Sequence, residues 1–208
     1  MKYDPERHHR RSIRLQDWDY AGEGAYFVTI CTHERLCLFG EAVDGEIRLN
    51  EYGQIARACW EEIPLHFSHA QSDVFVVMPN HVHGIIILAT PVGARHAVPL
   101  QGHAVPLQWH AVPPQNAVPI HGQNGGFGKP VPGSIPTIIR SFKSAVTRRI
   151  NALRDVPGVP VWQRNYYEHI IRNERELTRI SEYIMGNPAN WETDDNNPDF
   201  ARPQGCRR

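Results

Sequence analysis

His81 and His83 stand one residue apart inside VFVVMPNHVHGIIIL (Val74 to Leu88), an otherwise almost unbroken apolar run. Along a strand, side chains alternate between faces, so both imidazoles project one way while Val82 points oppositely into apolar packing. On a helix, residues two apart diverge by about 200°. A strand-borne His-x-His therefore offers two nitrogen ligands to one point in space, a common way to hold a metal ion. The other reading is a pair of half-buried histidines satisfied by backbone or carboxylate partners. Two ligands do not complete a site, and the remaining chemistry must come from elsewhere in the chain.

NERELTRISEYIMGNP, near the C-terminal end, supplies candidates. Its periodicity predicts a helix with Leu177, Ile180 and Ile184 as the buried stripe. Asn173 is its cap, Glu176 stands three residues on as in a capping box, and Pro188 ends it. Tyr183 and Asn187 are four apart, hence about 40° apart on the wheel, at the rim of that stripe. Asn187 offers an amide oxygen to a metal, and Tyr183 a nucleophilic hydroxyl. The plainer readings are an amphipathic rim tyrosine and a helix C-cap.

These residues need a scaffold. AYFVTICTHERLCLFG (Ala25 to Gly40) reads as a strand, rich in aromatic and β-branched residues. Gly45 to Leu49 is a short strand, and Asn50 an N-cap for a helix with Ile55, Cys59 and Ile63 on one side. SDVFVVMP and HVHGIIILA read as central strands joined at Pro79-Asn80. SIPTIIRSFKSAVTRRINAL reads as a helix with Ile138, Phe142, Ala145, Val146 and Ile150 sharing a face and Lys143, Arg148 and Arg149 on the polar side. VPVWQRNYYEHIIR reads as extended. The order β-β-α-β-β-α-β-α, with hairpin-linked strands, implies an α+β sandwich: a mainly antiparallel sheet with helices packed on it.

From Pro91 to Gly133 the composition changes: there is no Asp or Glu, and eight of the 17 prolines fall here. HAVPLQG, HAVPLQW, HAVPPQ and NAVPIHG repeat, with His96, His103 and His110 seven apart. Proline at that density blocks helix and central strand alike, so residues 91–133 read as a disordered insertion. The insertion divides a main domain, 21–192. Residues 1–20 form a polar arm with a basic cluster at Arg7, Arg10, Arg11 and Arg14, and 193–208 a polar, frayed tail.

Composition limits what the chain does. Lys+Arg and Asp+Glu are both 22, so a nucleic-acid role would need a local patch. Cys31, Cys37, Cys59 and Cys206 form no CxxC pair, which argues against a thiolate zinc site. There is no signal-peptide core and no run of about 18 apolar residues to span a membrane, so a cytoplasmic setting is the expectation.

MPNHVHGIIIL followed by VWQRNYYEHIIRNERELTRISEYIMGNP resembles the single-tyrosine HUH transposases of bacterial insertion sequences. The closer likeness is to the REP-associated tyrosine transposases. His81-Val82-His83 matches their HUH motif. Trp162-Gln163, Glu168-His169 with Ile171-Arg172, and Tyr183-Ile184 with Asn187-Pro188 follow in the family's order and roughly its spacing. YFVTICTHER looks like its opening strand. The likeness runs from about Tyr26 to Asn190, apart from the insertion.

The resemblance implies an RRM-like sandwich. It implies His81, His83 and Asn187 as ligands of a divalent ion, Mg2+ or Mn2+, and Tyr183 as nucleophile, with Tyr166 and Tyr167 as rivals. His169 is an additional metal contact or a structural residue. The implied activity is cleavage and rejoining of single-stranded DNA at hairpin-flanked sites through a 5′-phosphotyrosine intermediate. Lys143, Arg148, Arg149, Arg164, Arg172 and the N-terminal arm are candidate phosphate contacts, and Tyr166 a base-stacking one. Relatives include dimers and monomers, and both states stay open. The competing readings are a catalytically silent hairpin-DNA-binding protein and a metal-dependent hydrolase that uses water.

Overall fold

In a computed structural model of the chain, residues 19–89 and 131–200 are described. Most of the N-terminal arm, most of the Pro/His-rich insertion and the last eight residues lie outside them.

Four strands form one fully antiparallel sheet: β1 (Gly24–Cys31), β4 (Ala70–Met78), β5 (His81–Leu88) and β6 (Tyr167–Ile171), in the order β4-β5-β1-β6. A separate hairpin pairs β2 (Gly40–Val43) with β3 (Glu46–Leu49). The helices are α1 (Glu51–Glu61), the single turn α2 (Ile63–His66), α3 (Ile135–Arg154) and α4 (Glu174–Gly186). The expected α+β sandwich is therefore present, with two differences.

The apolar stretch Ala25–Gly40 is not one strand. It breaks at His33–Arg35, where Glu34 and Arg35 adopt left-handed backbone (φ 55° and 56°), and the chain re-enters a different sheet at Gly40. Gly40 itself has φ 146°, and a Cβ there would lie 2.1 Å from the Arg48 carbonyl oxygen, so only glycine fits. The second difference concerns β4, expected to be central. It is an edge strand, and the inner positions belong to β5 and β1.

The two faces of the sheet bury different helices. Tyr26, Val28, Ile30, Val82 and Ile86 pack with Trp60 of α1 and with Ile138, Phe142 and Val146 of α3. Ala25, Phe27, Ile85 and Ile171 pack with Ile180 and Ile184 of α4. The period-two alternation of β1 and β5 thus assigns odd-numbered residues to the α4 face. Burying each such aliphatic or aromatic side chain contributes about 1.5–3 kcal/mol. Gly84 lets Trp60 lie flat on β5, since a Cβ there would sit 2.3 Å from the indole Cζ2.

Caps hold the helices where the sequence puts them. Asn50 accepts from the backbone N–H groups of Tyr52 and Gly53, and Asn173 from that of Glu176. The Glu176 carboxylate reaches back to the N–H of Arg172, one residue before the cap, and also takes His169 Nε2 at 2.7 Å. Among the described residues, no helix is long and apolar enough to cross a membrane.

Candidate metal centre and adjoining cleft

His81 and His83 open β5, opposite Cys31 and Thr29 of β1, and both face α4. Their exposures are 0% and 2%, and their ring centroids lie 4.4 Å apart. His83 is gripped on every side. Its Nδ1 is 2.8 Å from Thr29 Oγ1, its Nε2 is 3.3 Å from the Tyr183 hydroxyl, and Phe27 stacks on the ring at 5.5 Å. His81 has Nδ1 2.8 Å from Asn80 Oδ1 and lies under the Trp191 indole at 6.1 Å. Its Nε2 is buried without a hydrogen-bond partner among the described residues.

Burial dictates the charge state. Desolvation, reinforced by the Arg35 guanidinium, pushes the His81 pKa down to about 3. Desolvation, then the neighbouring His81, pushes His83 down to about 3, against the pull of Asp194. Both rings are therefore neutral at physiological pH, the form that donates a lone pair to a metal. Asp194 Oδ2 approaches His81 Nε2 at 3.9 Å. With a neutral imidazole at that distance, this is proximity without an ion pair.

α4 delivers the other half of the site. Ile180 and Ile184 anchor it to the sheet, which leaves Tyr183 half exposed at the rim and Asn187 3% exposed at the end. Asn187 Oδ1 is a second buried acceptor with no partner among the described residues. Burial raises the Tyr183 pKa, Asp194 and Asp195 raise it further, and a hydrogen bond from the Asn187 side chain lowers it. The phenol is thus protonated at neutral pH.

These atoms fit a divalent ion. One nitrogen from each of His81 and His83 and a carboxylate oxygen of Asp194 lie within 4.8 Å of one another. His81 Nε2 and Asn187 Oδ1 are buried acceptors that no donor among the described residues satisfies, which costs free energy unless a cation takes them up. Two imidazoles with carboxylate or amide oxygens make a mixed nitrogen and oxygen donor set for a divalent ion. The group opens onto a cleft of about 790 Å3, whose walls include Phe27, Arg35, His83, Tyr167, Tyr183 and Asp194.

No protein-family model matches the chain. An uncharacterized protein of Haemophilus influenzae (strain ATCC 51907 / DSM 11121 / KW20 / Rd) is 42% identical over 193 residues, 93% of this chain and 96% of that one. The chain belongs to the family of that Haemophilus protein. Among solved structures, a REP-associated tyrosine transposase bound to a REP hairpin aligns with a TM-score of 0.47 at 16% identity, over 81% of this chain and 68% of that chain. A candidate transposase of Deinococcus radiodurans aligns with a TM-score of 0.40 at 15% identity, over 79% and 90%.

In this member of the Haemophilus protein's family, the residues singled out from sequence divide into two groups. His81, His83, Tyr183 and Asn187 converge at the head of β5 and the end of α4. Tyr166 and Tyr167 line the same cleft, but it is the Tyr183 hydroxyl that touches His83. The cations of α3 do not join them, because α3 packs on the opposite face of the sheet. Arg149 makes a two-pronged ion pair with Glu62 at 3.1 and 2.6 Å. Lys143 donates to the carbonyl of Gln163, and burial lowers its pKa to about 8. With Arg148 and Arg164 it lines a second groove of about 870 Å3. Arg172 sits at the β6–α4 junction, and His169 binds Glu176 and is not in the histidine cluster.

Two site residues were not legible beforehand. Asp194 lies in the segment read as a frayed tail. That segment instead turns back on itself, with Asp194 Oδ1 accepting from the Asn196 N–H and the Asp194 carbonyl from that of Asn197. Arg35, in the middle of an apparent strand, reaches the cleft and donates to the Asp195 carbonyl at 2.8 Å. The acidic pair Asp194-Asp195 soon after a helix-ending Asn-Pro was the available signal for the first.

Proposed function

We propose that this chain is a metal-dependent enzyme that nicks and rejoins single-stranded DNA, of the HUH transposase type, acting at hairpin-flanked sites. The observation that carries the reading is the Tyr183 hydroxyl 3.3 Å from His83 Nε2, at the rim of a group with two orphaned ligand atoms. A rigid strand and a packed helix hold nucleophile and ligands together, which is the positioning such a displacement requires. The ordered motifs from MPNHVH to YIMGNP support the same assignment.

Tyr183 Oη attacks the scissile phosphorus and the bond from phosphorus to the 3′ oxygen breaks. The phenolic proton leaves to solvent, and the departing 3′ oxygen takes one up. Reversal by another 3′-OH reseals the strand without an external energy source. An ion held by His81, His83 and Asp194, with Asn187 beside them, would neutralise charge on the phosphate and favour the phenolate. Arg35 adds a fixed positive charge at the cleft wall, and the Asn187 amide favours the ionised phenol. Lys143, Arg148, Arg149, Arg164 and Arg172 are the candidate contacts to the rest of the DNA backbone. Tyr167, half exposed at the cleft wall, is the candidate to stack on an unpaired base, whereas Tyr166, expected from the sequence in that role, is partly buried against the core.

The test is incubation of the protein with end-labelled hairpin DNA and Mn2+. A denaturant-resistant protein–DNA adduct is expected, and Tyr183→Phe should abolish it while binding Mn2+ as before. Cleavage without an adduct would identify a water-using hydrolase. Binding without cleavage would identify a silent hairpin reader.

A further inference from the structure

Asn80 is a fully buried polar residue whose amide is used at both ends. Its Nδ2 donates to two backbone carbonyls, Arg35 at 3.0 Å and Asn196 at 2.7 Å. Neither carbonyl can donate, so the amide nitrogen must face them and Oδ1 must face His81. Oδ1 is 2.8 Å from His81 Nδ1, and an amide oxygen only accepts. The proton of the neutral His81 ring is therefore on Nδ1, and the Nε2 lone pair is left bare toward Asp194.

The same amide controls a second ligand. Asn196, whose carbonyl it holds, donates its N–H to Asp194 Oδ1 at 2.6 Å, and this turn leaves Asp194 Oδ2 facing His81. Asn80 is itself held by its carbonyl, which accepts from the N–H of Thr32 at 2.9 Å, while the Thr32 hydroxyl is shared between the carbonyls of Leu36 and Asn80. One side chain thus ties the start of β5 to the left-handed turn at Arg35 and to a segment more than a hundred residues away.

We propose that Asn80 is the positioning residue of the metal centre, setting the His81 tautomer through Oδ1 and the Asp194 carboxylate through Nδ2. The assignment rests on the metal reading above and adds what organises it. A partner on the second imidazole nitrogen typically governs metal affinity by about 10- to 100-fold.

The experiment uses full-length protein with 15N-labelled histidine and no metal. A long-range 1H–15N spectrum, with the His81 signals identified through His81→Gln, reads which ring nitrogen carries the proton. Wild type should show Nδ1–H and a bare Nε2. Asn80→Asp keeps the acceptor and loses the donor, so it should retain that tautomer yet release the Asp194 turn. Its Mn2+ affinity should fall about 10- to 100-fold, and adding Asp194→Asn should then cost less than about twofold more, whereas Asp194→Asn alone weakens binding fully. Asn80→Leu should mix the tautomers.

A wild-type ring protonated at Nε2 overturns the proposal, as does an unchanged tautomer in a folded Asn80→Leu or full additivity of Asn80→Asp with Asp194→Asn. If Asn80→Leu does not fold, the wild-type spectrum and the Asn80→Asp pair decide. If wild type carries the proton on Nδ1 but binds no Mn2+, the metal reading falls while the tautomer assignment stands.

Discussion

Acidifying the metal-free protein from pH 7 to pH 5 should destabilise it through His81 and His83. Both have folded pKa values of about 3, against a model-peptide value of 6.5. The unfolded chain therefore binds protons first, and stability, complete above about pH 6.5, is lost as pH falls toward 3. At pH 5 both folded rings are still neutral, so the size of the effect depends on the unfolded state alone. It comes to about 2 kcal/mol per histidine, or roughly 4 kcal/mol for the pair. That is a large share of the roughly 5–15 kcal/mol that holds a domain together. The carboxyls of Glu62 and Glu176 are held below their usual range by their partners, so their losses come at lower pH. Urea unfolding at the two pH values measures the difference. With a slope of about 2 kcal/mol per molar urea, the midpoint should drop by about 2 M. His81→Gln/His83→Gln should unfold with most of that drop removed, whatever its absolute stability. A midpoint that hardly moves in wild type, or one that moves equally in the double variant, would refute the claim that two buried neutral imidazoles sit at this site.

The remaining predictions concern how the scaffold and the ligand set share the work. Gly84→Ala drives a methyl group into the Trp60 ring and should cost about 1–3 kcal/mol in urea unfolding. Because Gly84 adjoins His83, Mn2+ affinity should fall with it. Asp194→Asn and Asn187→Ala, compared by Mn2+ titration, separate the two oxygen donors. Asp194→Asn should weaken binding by at least about tenfold, since it would remove the anionic member of the proposed ligand set. A larger loss in Asn187→Ala would move the third ligand to the amide.

Much of this arrangement was written locally. The His-x-His spacing within an apolar run places both rings on one face of a strand, because alternation is a property of the extended backbone itself. The Leu177, Ile180 and Ile184 stripe puts Tyr183 at a helix rim for the same reason, and Asn50 and Asn173 mark helix starts through bonds that span three residues. The hairpin through Pro79-Asn80 and the buried face of α3 were equally readable.

The rest depended on which distant segments meet. The break at Glu34 and Arg35 was masked by an apolar pattern that continues past it, and it is held in part by Asn80 from the turn between β4 and β5. α3 carries visible cations, but only tertiary packing determines that Arg149 pairs with Glu62 and that Lys143 is spent on the backbone carbonyls of residues 163–165. Asp194 looked like part of a solvated tail. It becomes a ligand candidate because Asn196 closes a turn whose carbonyl satisfies a buried amide 116 residues away in the chain. Backbone periodicity is encoded residue by residue. The demand that every buried polar group find a partner is met only when the whole chain has folded, and that demand assembled the site.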